Sequence, residues 1–301
     1  GALPCHLVHR RMRELADFFY SLVRAHKGAS MRIHKFMSAC LFICFVPCVP
    51  VQAQTEADAG RCSDAAVKLV GKHFHLDNFV YPVWGASENG GLIVAGVCKS
   101  WPTNNSRVVA AFAYNQGVEY DKLLVVAVID TRTNQIISSY KSLIQEDGAM
   151  RVDEDSLRID TARYQLTEKI RAFGIDLRSG GISNCGEGGS GADRTLYVQE
   201  GKTLRPVLTI TMSHWQFVIG GNPRCMPVDQ ELPDTVVEDV HLTIGLDNSE
   251  TNGYRDISVS ATSSRDDGKP TKRGTFRYKL KYDGRQYPTQ EMDNMLFEWK
   301  R

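Results

Sequence analysis

A succession of short β-branched and apolar runs, each closed off by turn residues, limits this chain more than any other feature. Arg107 to Tyr114 and Lys122 to Asp130 are such runs, and Gln135 to Lys141 answers the second across Thr131-Arg132-Thr133-Asn134, a loop of hairpin length. Ser156 to Ile159 and Ile170 to Leu177 follow, and Leu196 to Gln199 and Leu204 to Thr211 flank Glu200-Gly201-Lys202. Trp215 to Ile219, Val236 to Leu246 and Ile257 to Ala261 continue the series. Thr275 to Tyr282 and Gln286 to Tyr287 meet at Asp283-Gly284, a two-residue turn signal. The pattern predicts a mainly β fold: an antiparallel sandwich, a barrel or a propeller-like sheet stack. No fixed repeat period singles out a regular propeller. One short N-terminal helix is expected over residues 61–74, with Ser63 or Asp64 as its cap and Gly71 as its stop. Residues 77–106 read as loops around a strand from Leu92 to Cys98, while Ser179 to Asp193 and Ser263 to Arg273 read as exposed loops.

The 301 residues are enough for one large or two small domains. From Met31 the chain resembles a secretory signal. Arg32, His34 and Lys35 form a basic start, Phe36 to Val49 an apolar centre, and Val51-Gln52-Ala53 a small-x-small cleavage position. The apolar centre falls short of the roughly 20 residues a membrane helix needs, so no stable span is expected in the mature chain. The expected division is an upstream segment at 1–30, a signal at 31–53, a β-rich domain at 54–235 and a β subdomain at 236–301. Residues 54–301 hold 29 Lys/Arg and 33 Asp/Glu, a mildly acidic balance that argues against nucleic-acid binding. They also hold four of the eight cysteines: Cys62, Cys98, Cys185 and Cys225. An even number in an exported chain reads as disulfides, with Cys62–Cys98 and Cys185–Cys225 the simplest pairing.

The most informative local stretch runs from Asn248 to Ile257. Asn248, Glu250 and Asn252 place oxygen-bearing side chains at alternate positions. Gly253 follows, then Tyr254 with its backbone carbonyl and Asp256 with a carboxylate. This is the layout of a calcium loop, with ligands at positions 1, 3 and 5, glycine at 6, a carbonyl at 7 and a carboxylate at 9. A polar turn at Asn252-Gly253 accounts for the same residues. The stretch resembles the loops of FG-GAP-type β-propeller blades and other EF-hand-like calcium loops. Tyr282-Asp283-Gly284-Arg285-Gln286-Tyr287 is similar to the end of such modules. Related loops occur in periplasmic inhibitors of lysozyme-like enzymes and in envelope immunity proteins. The resemblance covers residues 240–290 and implies calcium as a ligand and a basic cell-wall hydrolase as a protein partner.

Other constellations are weaker. Gly188-Gly189-Ser190-Gly191-Ala192 comes close to a nucleophile elbow but has alanine at its last place. A hydrolase needs a histidine held by a carboxylate, and His73, His75, His214 and His241 stand in no recognisable motif. A glycine loop tethered by Cys185 explains the stretch as well. Trp84, Trp101, Trp215, Tyr81 and Phe79 serve either a binding surface or the core. The acidic cluster of Glu146, Asp147, Asp153, Glu154, Asp155 and Asp160 reads as a solvated face or a lure for a basic partner. The expected function is that of an exported, periplasmic or secreted bacterial envelope protein that acts by binding. A periplasmic hydrolase is the alternative.

Overall fold

The computed structural model describes residues 60–82, 91–118, 120–147, 151–178, 185–226, 234–271 and 273–301. The upstream and signal segments, the cleavage position at Ala53, Trp84 and the beginning of the Ser179–Asp193 loop lie outside these residues.

The chain is mainly β. A first helix, α1 (Asp64–Phe74), is followed by β1 (Leu92–Trp101), β2 (Asn104–Asn115), β3 (Asp121–Asp130) and β4 (Gln135–Gln145). Next come β5 (Leu157–Gln165), β6 (Arg171–Leu177), β7 (Gly188–Ser190), β8 (Asp193–Glu200), β9 (Thr203–Thr211) and β10 (Ser213–Ile219). β11 (Val236–Thr251), β12 (Tyr254–Arg265), β13 (Phe276–Leu280) and a second helix, α2 (Gln290–Lys300), complete the described elements. One sheet runs β1-β2-β3-β4-β9-β8-β6-β5 and the other β13-β12-β11-β10-β7.

The first sheet is two leaves with one stitch between them. β1 to β4 form a meander of antiparallel neighbours, and β5, β6, β8 and β9 form a second antiparallel set. The leaves are joined at a single parallel pair, Ser139 with Thr203. Between them lies a core that includes Val97, Ala111, Val126, Ile159, Phe173 and Tyr197. The outer face of the β1–β4 leaf is covered by α1 through Val67, Val70, Phe79 and Phe112. The outer face of the other leaf packs through Leu196 and Val207 on Val240, Leu242, Ile257 and Val259 of the second sheet and on Met292 and Leu296 of α2. β2 and β3 are therefore covered on both faces, which is why their sequences are continuous apolar runs rather than alternating ones.

Ser63 caps α1 by accepting the Ala66 N–H at 3.3 Å, as its residue type predicts. Gly71 does not stop the helix. It faces Phe79, where a Cβ would stand 2.9 Å from the Phe79 Cβ, so close packing is its role. The helix ends at His75 in left-handed backbone (φ 55°), with the Leu76 N–H closing on Gly71 O at 3.0 Å.

Three other expectations give way. Ser179 to Asp193 is not wholly a loop, because its residues 188–190 pair with β10. Gln286-Tyr287 is not a strand beside β13; the Asp283 turn is present, but the Tyr287 N–H donates to Val207 O at 2.7 Å on the edge of β9. Ser263 to Arg273 is strand as far as Arg265, and Arg273 is drawn inward onto buried Glu238.

Candidate functional site

The end strands of the first sheet, β1 and β5, face one another without pairing across a groove of about 990 Å³. β2 takes one edge of β1, so the other edge faces this groove. Two contacts hold its ends: the Cys98 N–H donates to Gly60 O at 3.0 Å, and the Ile93 N–H donates to Val80 O at 2.9 Å. Among the described residues no backbone partner meets that edge between those points. Lys99 spans the groove, its ammonium donating to Ile159 O on β5 at 3.5 Å.

The β1 bank is built rigidly. The Cys62–Cys98 disulfide, the pairing expected from the sequence, ties the start of α1 to β1. Tyr81 lies across Gly96, where any Cβ would strike the Tyr81 hydroxyl and the Phe112 ring. The Tyr81 hydroxyl accepts the Cys62 N–H at 3.3 Å, Arg61 stacks 3.9 Å over its ring, and burial pushes the phenol up. Trp101 is half-buried, edge-on to Phe173 at 5.7 Å, with Arg171 5.9 Å from its ring. Phe79 is buried in the core and Trp215 is half-buried on β10.

The acidic cluster is largely spent on structure. Glu146 pairs with Lys122 at 3.0 Å, Asp160 faces Arg194, and Asp153 accepts from the Ser156 hydroxyl at 2.9 Å. Glu154 and Asp155 remain exposed and line the groove together with Arg61, Lys99 and Arg158. The groove thus presents charges of both signs beside an unpaired strand edge, a surface suited to an extended polypeptide.

The 248–256 stretch is the bulged end of the β11–β12 hairpin. Asn252 (φ 51°) and Gly253 (φ 80°) form its two-residue turn, and a bulge lies between the pairs Leu246–Ile257 and Glu250–Arg255. Asn248 accepts from the Arg255 guanidinium at 3.0 Å, and the Asn252 amide donates to Tyr282 O at 2.8 Å. Tyr254 stacks on Tyr282 with ring centroids 4.2 Å apart, and exposed Glu250 stands opposite Arg255. Asp256 is buried, and its Oδ2 accepts from the Ser249 hydroxyl at 2.6 Å. The side chains of Asn248, Asn252 and Asp256 are therefore each engaged at a different place.

The alternate-position layout leaves out Asp247. Its Oδ1 accepts from the Ser249 backbone N–H at 3.0 Å and lies 3.0 Å from the Ser249 hydroxyl, whose single proton it shares with Asp256, and its Oδ2 meets the Lys279 ammonium at 3.0 Å. These groups hold its carboxyl down at about 2, the Ser249 N–H first and Lys279 next. The bulge brings Asp247, Ser249 and Asp256 together, and strand periodicity carries no sign of a bulge.

Ser190 and His214 stand directly opposite one another in the β7–β10 pair. No hydrogen bond joins them among the described residues. His214 is pushed down to about 4 by burial and then by Lys300, which shares a cleft with it alongside Asp193 and Asp293. His73 bonds Ser139 Oγ at 2.9 Å, and exposed His241 pairs with Ser213. Cys185 and Cys225 are neighbouring exposed thiols, with the Cys225 thiol pushed up to about 11 by burial and by Cys185. Among the described residues no three His, Cys, Asp or Glu side chains gather as metal ligands, and no helix is long and apolar enough to cross a membrane.

No family model, curated protein or solved structure matches this chain.

Proposed function

We propose that this is an exported protein of the bacterial cell envelope that acts by binding, and that it takes an extended segment of a protein partner into the β1–β5 groove. The observation that carries this reading is the edge of β1, which among the described residues has no backbone partner between Ile93 and Cys98 and faces a second end strand across about 990 Å³. Such an edge supplies main-chain hydrogen bonds for affinity, and the flanking side chains supply selection. The Cys62–Cys98 disulfide supports an oxidising compartment. A basic cell-wall hydrolase is the partner that the resemblance of residues 240–290 implies; Glu154 and Asp155 on the rim would meet its basic side chains, beside Arg61, Lys99 and Arg158 for acidic ones.

Crosslinking from a photoreactive residue at Arg158 in a periplasmic extract, followed by identification of the adduct, tests this. Gly96→Val would shift Tyr81 and weaken capture of the same adduct. An Arg158 probe that captures nothing, or an adduct indifferent to Gly96→Val, would overturn it.

The register of Ser190 against His214 favours hydrolysis as a second reading. A serine-directed fluorophosphonate should then label the protein and fail to label Ser190→Ala. Equal labelling of both, or of neither, removes that reading.

A further inference from the structure

We propose that Asp247, Ser249 and Asp256 form a binding site for a divalent cation of the calcium type, with the Lys279 ammonium as the built-in competitor for the same oxygens. The resemblance of this stretch to calcium loops implies the set 248, 250, 252, 254 and 256, which shares Asp256 with this one; the side chains of Asn248 and Asn252 are hydrogen-bonded elsewhere. Arg255 takes Asn248, Tyr282 takes the Asn252 amide and the Tyr254 ring, and Glu250 points to solvent.

The bulge does gather a second set. The Ser249 hydroxyl lies 3.0 Å from Asp247 Oδ1, 2.6 Å from Asp256 Oδ2 and 3.2 Å from the Lys279 ammonium. Two carboxylates and a hydroxyl thus meet at one point, oxygen donors of the kind calcium takes, with water free to complete the shell.

An independent observation marks the place as short of a cation. Asp256 is 2% exposed, and its Oδ1 is a buried oxygen without a hydrogen-bond partner. A buried carboxylate oxygen left unpaired is costly, and a cation is the strongest remedy. Lys279 is a partial one: its ammonium reaches Asp247 Oδ2 at 3.0 Å and Ser249, and its side chain is 44% exposed, so it can swing out. Lys279 is the cation that touches the cluster's own oxygens; the Arg255 guanidinium lies alongside but donates to Asp247 O at 2.9 Å and to Asn248 at 3.0 Å.

The test is a titration of chelator-treated full-length protein with calcium, read as a melting-temperature shift, and with terbium, read as tyrosine-sensitised luminescence. Saturable binding is expected, lost in Asp247→Asn and retained in Glu250→Gln and Asn248→Ala. Lys279→Met should lower the dissociation constant by about fivefold or more, since it removes a positive charge beside the ion. Asp247 is partly exposed, so Asp247→Asn should fold, as its melting curve without ion will report. Absence of binding in both the unaltered protein and Lys279→Met overturns the proposal. Loss of binding in Glu250→Gln with retention in Asp247→Asn overturns it equally and restores the alternate-residue set.

Discussion

Arg194 holds Asp176 in a two-pronged grip, with Nε on one carboxylate oxygen at 2.6 Å and a terminal nitrogen on the other at 2.7 Å. The two are cross-strand partners in the β6–β8 pair. The same guanidinium donates to the Tyr164 hydroxyl at 3.1 Å, and that hydroxyl donates to Asp160 at 2.7 Å. Burial, and then Asp160, push the Tyr164 phenol up to about 12. Both members of the grip are nearly out of water, with side chains 14% and 9% exposed. Asp176→Ala leaves a desolvated guanidinium half-paired and should cost about 3 kcal/mol in urea unfolding. A loss under about 1 kcal/mol would mean that Asp160 compensates alone.

Arg273 fastens α2 to the second sheet. It pairs with buried Glu238 at 3.1 Å and donates to Trp299 O at 2.6 Å, among the carbonyls that a helix C-terminus leaves unsatisfied. Arg273→Ala should destabilise the protein by about 2 kcal/mol and speed amide exchange in the last turn of α2 well beyond that in β12. Equal acceleration in both elements would show that Arg273 supports the whole sheet instead.

His214 sets a pH dependence whose sign follows from its depressed basicity. Burial, then Lys300, bring it to about 4, against about 6.5 for an unhindered imidazole. Between those values the unfolded chain takes up a proton that the folded chain refuses, so stability falls as pH drops through that window. Relative to His214→Gln, the unaltered protein should lose ground from about pH 6.5 down to about pH 4 and hold constant above pH 7. A difference independent of pH would show that the imidazole titrates alike in both states.

Cys185 and Cys225 should close into a second disulfide on mild oxidation, each thiol giving up a proton and an electron to the added oxidant. The raised basicity of the Cys225 thiol makes the step slow at neutral pH. Peptide mapping after oxidation should recover the two residues as one linked pair, with stability raised by about 2–4 kcal/mol. Recovery of two unlinked, alkylated cysteines after oxidation would refute this.

Strand content was legible because local chemistry decides it. The hairpin across residues 131–134 and the one around Gly201 appear where turn residues interrupt apolar runs. Helix α2 carries its signal in Met292, Leu296 and Trp299, spaced for one face, yet the Asp283-Gly284 turn drew the reading toward a terminal strand pair. β7 could not be read from Gly188-Gly189-Ser190, because its extended state comes from pairing with β10, far along the chain. The Asp247–Ser249–Asp256 cluster was hidden for a related reason. The calcium-loop layout takes its first ligands at 248, 250 and 252, whereas the bulge after Leu246 brings Asp247 and Ser249 to Asp256. The groove between β1 and β5 depends on how the sheet curls, which no short stretch encodes.

The two small contacts at Gly60 and Val80 also bear on how copies of the chain could pair with one another. A long bare strand edge invites another copy of the same chain to stack on it and continue into a fibril. Plugged at Cys98 and at Ile93, the edge of β1 is cut to a window of a few residues. A window that short would leave a neighbour's full-length strand little to pair with, so Gly60 and Val80 should limit edge-to-edge stacking of copies on β1.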